Sequence, residues 1–258
     1  MKRKQLKVDE NKDDLPATET TSKAADSSIG SLRSRATARA VLLGRQAHDK
    51  VWDLCGQWEP SFTTGPLLWL TQYTRTEDTH WLQKGTPPVA PFPRMSFFPC
   101  VVEKLLSEEV LFIEKSREMM TSWLACGVIA WMTQWLPKIQ WIIQTEKEDK
   151  AQELIKYCRI LYHRQDGWMR DRNPVVISNL THLKRQNGSE VIAVPKGENQ
   201  VRLYHPYGVL FDEAAFLPEF MQAYSTVKPV TKKIWAISSA GPGAFADECG
   251  SFSEELAD

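Results

Sequence analysis

Three short apolar runs constrain this chain more than anything else in it: Gln140–Gln144 (QWIIQ), Tyr207–Phe211 (YGVLF) and the segment from Lys232 to Ser238 (KKIWAIS). Each is strand-sized and apolar through its centre, without the polar alternation of a strand that has one wet face. Runs of this kind suit strands buried on both sides. A fourth apolar run, Val110–Ile113, precedes a polar loop and a long apolar helix, and a charged amphipathic helix is expected from about Glu146 to His163. Further helices are predicted at Cys100–Ser107 and Pro218–Ser225, a strand at Val175–Ser178, and a hairpin turning at Asn187–Gly188 with Glu190–Val194 as its second arm. Strands alternating with helices predict an α/β fold, a mainly parallel sheet flanked by helices.

The 258 residues suffice for one or two domains. Residues 1–35 carry eight basic and six acidic side chains with few apolar ones, and are expected to be a disordered tail. Residues 36–99 form a helical and proline-rich N-terminal lobe and strap: a helix from Arg35 to Trp58 that Pro60 would stop, a short helix at Leu67–Tyr73, and the extended Pro87, Pro88, Pro91, Pro93, Pro99 segment. Residues 100–245 are the α/β core, and residues 246–258, with five acids and no base, an acidic tail.

Lys+Arg and Asp+Glu are equal at 32, so no chain-wide positive field would bind nucleic acid unselectively. The densest basic neighbourhood is Arg159, His163, Arg164, Arg170 and Arg172, diluted by Asp166 and Asp171. It reads either as a DNA contact or as an exposed helix end with its following loop. The five cysteines include no C-x-x-C pair and the five histidines no H-E-x-x-H spacing, which argues against a disulfide framework and a transition-metal site. The charged N-terminus lacks the apolar stretch of a signal peptide, and Trp123–Leu136 is too short to cross a bilayer, so a cytoplasmic protein without membrane attachment is expected. Trp123, Gly127, Trp131 and Trp135 recur every four residues and read as core packing.

Polar chemistry falls where open α/β sheets place it, after strands. The segment Lys115-Ser116-Arg117-Glu118-Met119-Met120-Thr121-Ser122 links the strand to the apolar helix. A turn there can aim backbone N–H groups and the positive helix end at a phosphate, with a lysine and a hydroxyl beside it. It lacks the GxxxxGK(S/T) pattern, Met120 and Thr121 standing where Gly and Lys would be, and so reads equally as a charged surface loop. Asp212-Glu213 ends the run YGVLF. The first acid could hold Mg²⁺ and the second deprotonate a water, or the pair could simply cap a helix. Ser238, Ser239 and Ala240 end the last strand in small side chains that would let a loop approach a γ-phosphate; a plain exit into the turn Gly241-Pro242-Gly243 explains them as well.

Several blocks in order resemble the ATPase region of the large terminase subunit, the DNA-packaging motor of tailed phages. They are Trp69-Leu70 with Gln72-Tyr73-Thr74; Pro91-Phe92-Pro93; KSREMMTSW from Lys115; WIIQTEKEDKAQELIKY from Trp141; NGSEVIAVPKG from Asn187; VRLYHP followed by VLFDEAAF; and ISSAGPGAF from Ile237. The resemblance implies a P-loop NTPase of the terminase (ASCE) type that binds ATP and Mg²⁺ and hydrolyses ATP to drive double-stranded phage DNA into a procapsid. It implies a nucleotide loop led by Lys115, with Ser116 and Thr121 in the loop and Ser122 as the Mg²⁺-ligating hydroxyl. Arg117 corresponds to the arginine used against the γ-phosphate. Asp212 corresponds to the Walker B metal carboxylate, Glu213 to the catalytic base, and Ser238, Ser239 and Ala240 to the motif coupling hydrolysis to movement.

The implied partners are double-stranded DNA, the small terminase subunit and the portal protein, in a bacterial host cytoplasm and compatible with a homo-oligomeric ring. Met120 stands where such loops carry Gly, and Glu118 where Gln is common; both are expected to weaken ATP binding. Family members continue into more sheet and an RNase H-like nuclease domain, so the sheet is expected to be truncated on its C-terminal side and the nuclease absent. The alternative is a non-catalytic truncated prophage remnant that retains the ATPase fold; a third reading is a helicase-like hydrolase acting outside packaging.

Overall fold

A computed structural model describes residues 22–77, 82, 85, 87–116, 119–194, 204–241 and 243–254. The chain divides into two units, residues 1–49 and 50–258. In the first, helix α1 (Ser22–Cys55) begins, its last residues belonging to the second unit. The expected tail is thereby corrected in part: residues 22–35 are helical, and residues 1–21 lie outside the described residues. No proline stands between Pro16 and Pro60, and Ala, Leu and Arg favour the helix, so it starts well before the apolar spacing begins.

In the second unit, α2 (Gly65–Leu68) runs on as a π turn (Trp69–Tyr73), and β1 (Arg75–Glu77) pairs antiparallel with β2 (Val89–Pro91). Then follow α3 (Phe98–Ser107), β3 (Val110–Lys115), α4 (Thr121–Trp135), β4 (Gln140–Gln144), α5 (Glu148–His163), α6 (Gly167–Arg172), β5 (Val175–Ser178), β6 (His182–Arg185), β7 (Glu190–Val194) and β8 (Gly208–Asp212). A 3₁₀ turn (Ala214–Phe216), α7 (Phe220–Val227), β9 (Lys233–Ser239) and α8 (Ala244–Glu254) complete the order. Helix α8 occupies most of the segment expected to be an acidic tail, because Phe245 is buried and packs against Phe112 and Phe220; residues 255–258 lie outside the described residues.

The seven-stranded sheet has the order β3-β9-β8-β4-β7-β6-β5. Its first five strands are parallel; β6 pairs antiparallel with β7 through the expected hairpin at Asn187–Gly188, and β5 pairs antiparallel with β6. Successive residues of the central strands enter two separate cores. Val209, Phe211, Ile234 and Ala236 face α7 and Phe245, whereas Leu210, Trp235 and Ile237 join α4 and α5. Both faces of β8 and β9 are dry, which is why their sequences do not alternate in polarity.

The apolar helix α4 is buried in the core that it shares with α5, together with Cys55, Leu67, Trp69 and Leu70. Trp131 is buried and donates its indole N–H to the Cys55 carbonyl, while Trp123 stacks on Tyr157 with ring centroids 3.9 Å apart. Carbonyls toward its C-terminal end accept hydrogen bonds from two buried polar side chains, Arg185 and Asn173, and one half-buried one, Asn187. Arg185 Nη2 donates to Ala130 O at 3.3 Å, Asn173 Nδ2 to Gln134 O at 2.9 Å, and Asn187 Nδ2 to Leu136 O at 3.1 Å. A guanidinium at the negative end of a helix is electrostatically apt. Burial nevertheless pulls the Arg185 pKa down to about 10. No described helix is long and apolar enough to cross a membrane.

Gly208 starts β8 directly beneath the Trp141 ring, where a Cβ would lie 2.5 Å from the nearest ring atom. Gly208→Ala forces that buried indole aside and is expected to destabilise the protein by about 1–3 kcal/mol, measured by urea unfolding. Unchanged stability would show that the Trp141 packing can yield.

Candidate functional site

Strands β3, β9 and β8 are neighbours and parallel, so their C-terminal residues meet at one edge of the sheet. Lys115, the last residue of β3, pairs in register with Ser239, the last of β9; Asp212, the last of β8, pairs with Ile237. Sequence reading ended the first strand at Ile113, but the ladder to β9 carries it on through Glu114 and Lys115. The lysine thus leaves the sheet edge itself rather than a loop.

Met120 then takes a left-handed conformation, φ 54° and ψ 18°, and caps α4. A turn this sharp favours glycine, and a methionine there carries a steric cost of about 1–2 kcal/mol. Thr121 opens the helix and is buried, whereas Ser122, in the first turn, reaches across to the next element. Its hydroxyl donates to Asp212 Oδ1 at 2.8 Å, joining residues 90 apart in sequence. Asp212 is 8% exposed, and burial pushes its pKa up to about 6. The Ser122 hydrogen bond, the Lys115 ammonium and the Glu213 backbone N–H pull it down, while the Glu213 carboxylate adds to the rise.

Glu213 is also left-handed, at φ 55° and ψ 39°, and half-buried. Its charge helps raise the Lys150 pKa, although Glu153, bonded to Lys150 at 3.4 Å, contributes more. The third motif joins from the other side. Ser238 is fully buried, and its Oγ accepts the Ala215 N–H at 3.2 Å, tying the end of β9 to the turn that follows Asp212 and Glu213. Ser239 and Ala240 line an adjacent cavity of about 510 Å³ with Glu114, Lys115, Ser116, Met119 and Phe216.

Lys115, Ser116, Ser122, Asp212, Ser238, Ser239 and Ala240 therefore gather at one sheet edge. Of these, Lys115, Ser116, Ser239 and Ala240 line the cavity; Ser122, Asp212 and Ser238, like Thr121 and Glu213, stand beside it. Arg117 and Glu118 lie outside the described residues. Four residues were not anticipated as site members: Glu114, Met119, Phe216 and Lys150. Phe216 sits inside the block VLFDEAAF but bears no polar group, and Lys150 reads as one charge on a solvated helix face.

A hydroxyl and a carboxylate held together are hard oxygen donors of the kind Mg²⁺ accepts, usually with waters and substrate phosphates completing its shell. A buried carboxylate whose charge is poorly compensated fits such a cation. Among the described residues no cluster of three or more His, Cys, Asp or Glu could hold a metal by itself.

No family model matches the sequence, and neither does any curated protein. Solved structures do match. The chain is similar to the large terminase of bacteriophage HK97, with a TM-score of 0.54 and 9% identity over 75% of this chain and 41% of that one. A mutant of the large terminase ATPase domain from a Thermus phage scores 0.47, with 16% identity over 67% of this chain and 74% of the other. The first likeness shows the fold: an α/β, mostly parallel sheet flanked by helices, as in the HK97 large terminase. The chain spans less than half the length of that terminase.

Proposed function

We propose that this chain is a terminase-type ATPase that uses ATP hydrolysis to move double-stranded DNA into a procapsid, with a small terminase subunit and a portal as partners. The observation that carries the proposal is the Ser122–Asp212 hydrogen bond beside Lys115 at the C-terminal edge of a parallel sheet. Lys115 binds the triphosphate, and the N–H groups opening α4 add positive potential toward it. Ser122 and Asp212 would hold Mg²⁺, which when bound neutralises phosphate charge. Glu213 takes the proton of the attacking water, and Arg117, assigned from the resemblance alone, would stabilise the charge that develops on the γ-phosphate. Ser238, through its bond to the Ala215 N–H, passes the state of the site to β9.

Titration of the protein with Mg²⁺ and a non-hydrolysable ATP analogue, read by calorimetry, tests the site. Lys115→Ala should lose about 10- to 100-fold in affinity, the worth of one charged contact. Wild-type affinity in that variant overturns the assignment.

One observation favours the rival reading, a scaffold that retains the fold and binds nucleotide poorly: the left-handed Met120 in the phosphate turn. Met120→Gly relieves the backbone strain but frees the unfolded chain, so stability should change by less than about 1 kcal/mol. If the methionine blocks the loop, the same substitution raises nucleotide affinity at least severalfold. If wild type already binds tightly, the rival is excluded.

A further inference from the structure

The basic neighbourhood that no step above uses is organised in the fold. Lys156, Arg159, His163 and Arg164 project from α5 at spacings of three, four and one, and with Ile160 and Glu77 of β1 they line an open cleft of about 500 Å³. Spacings of three and four keep Lys156, Arg159 and His163 on one helix face, and Arg164, the C-cap residue, joins them from the helix end. We propose that this cleft is a docking site for the phosphate backbone of duplex DNA.

Its cations are partly set in place before any ligand arrives. Arg159 Nη1 donates to Asn179 O at 3.1 Å, and Arg164 Nη2 contacts Glu77 Oε1 at 3.2 Å. Arg170 Nη1 donates to the His163 carbonyl at 3.2 Å, which adds a further charge at the end of the row. Holding the guanidiniums reduces the entropy lost when a polyanion binds. Among the described residues Glu77 is the one carboxylate lining the cleft. As a consequence of that geometry, His163 has its pKa lowered, first by desolvation and then by Arg170, Arg159 and Arg164, as expected where positive charge is crowded.

From Lys156 to Arg164 the helix rises about 12 Å, the axial reach of three or four phosphates on one DNA strand. Among the described residues no Trp, Tyr or Phe ring lines the cleft, so apart from the small His163 imidazole it offers no platform on which unpaired bases could stack. That favours a duplex backbone over a single strand. In naming DNA as the polymer, the proposal rests on the packaging reading; the charge and shape of the cleft do not.

The test is fluorescence anisotropy of a labelled 30-base-pair duplex against the full chain without nucleotide, over a series of salt concentrations. Failure of ATP hydrolysis would therefore leave the result unaffected. Lys156→Ala and Arg164→Ala should each weaken binding roughly three- to tenfold and reduce the slope of log K against log salt by about 1. Glu77→Gln, which removes the competing carboxylate, should strengthen binding by a similar factor. Lys156 is an exposed side chain on α5, so its loss leaves the fold intact, as circular dichroism would verify. Three results would overturn the proposal: no duplex binding by wild type at low salt, unchanged affinity in the two alanine variants, or better competition by single strands than by duplex.

Discussion

Glu213→Gln should reduce Mg²⁺-dependent ATP turnover by about 10²- to 10⁴-fold, the usual contribution of a positioned general base. The substitution keeps size and shape while removing the only group at the end of β8, besides Asp212, that can accept a proton from water. Asp212 is the poorer candidate because it already accepts the Ser122 hydroxyl and is nearly enclosed. Glu213 is half-buried, and its left-handed backbone lifts it out of the strand direction. Nucleotide affinity should change little, since the residue does not line the cavity that Lys115 and Ser239 share. A variant that turns over ATP at the wild-type rate would remove Glu213 from the mechanism and leave the binding assignment of Lys115 standing.

Asp212→Asn should make the nucleotide-free protein more stable at neutral pH, by up to about 3 kcal/mol. The folded-state pKa of Asp212, about 6, lies above its ordinary value of 3.8. Between those pH values the folded chain holds a proton that the unfolded chain has released. Stability contributed by this group is therefore present below about pH 4 and is lost as pH rises through 6. Asparagine carries no charge to desolvate and still offers an oxygen to Ser122. The two proteins should have nearly equal stability at pH 4 and diverge by pH 7.5, as urea unfolding at several pH values would reveal. In the same variant, stabilisation by Mg²⁺ with an ATP analogue should largely vanish. An asparagine variant less stable than wild type at pH 7.5 would mean that the carboxylate charge is well compensated in the fold. A charge kept at a cost to stability is the pattern expected of a site built to receive a cation.

Much of this architecture was legible in the residues. Strands β4, β8 and β9 appear within one residue of where their apolar runs predicted, and the Asn187–Gly188 turn closes the hairpin it announced. The elements that escaped notice are those with weak local signals. Strand β1 is three residues of Arg, Thr and Glu, held by pairing to β2, and α6 is six residues between a buried Gln165 and a buried Asn173. At the site, residue types alone left Lys115, Ser122, Asp212 and Ser238 open to plainer readings as a surface loop, a helix cap and a strand exit, and the resemblance of the ordered blocks is what singled them out. Nothing local could indicate that Ser238 would bond the Ala215 N–H, or that Met119 and Phe216 would line the same cavity. In the basic cleft the cations were visible as a cluster, but their counter-charge was not, because Glu77 comes from a ribbon 87 residues before Arg164.

Sequence alone determined which segments become buried strands, because burial on both faces demands apolar side chains at consecutive positions and leaves a run that no other element needs. Only the tertiary structure decided the order β3-β9-β8 that sets Ser122 against Asp212. Strand order depends on how distant crossovers pack their helices onto the two faces of the sheet, and the free energy of that packing is distributed over the whole core rather than written in either partner's neighbourhood.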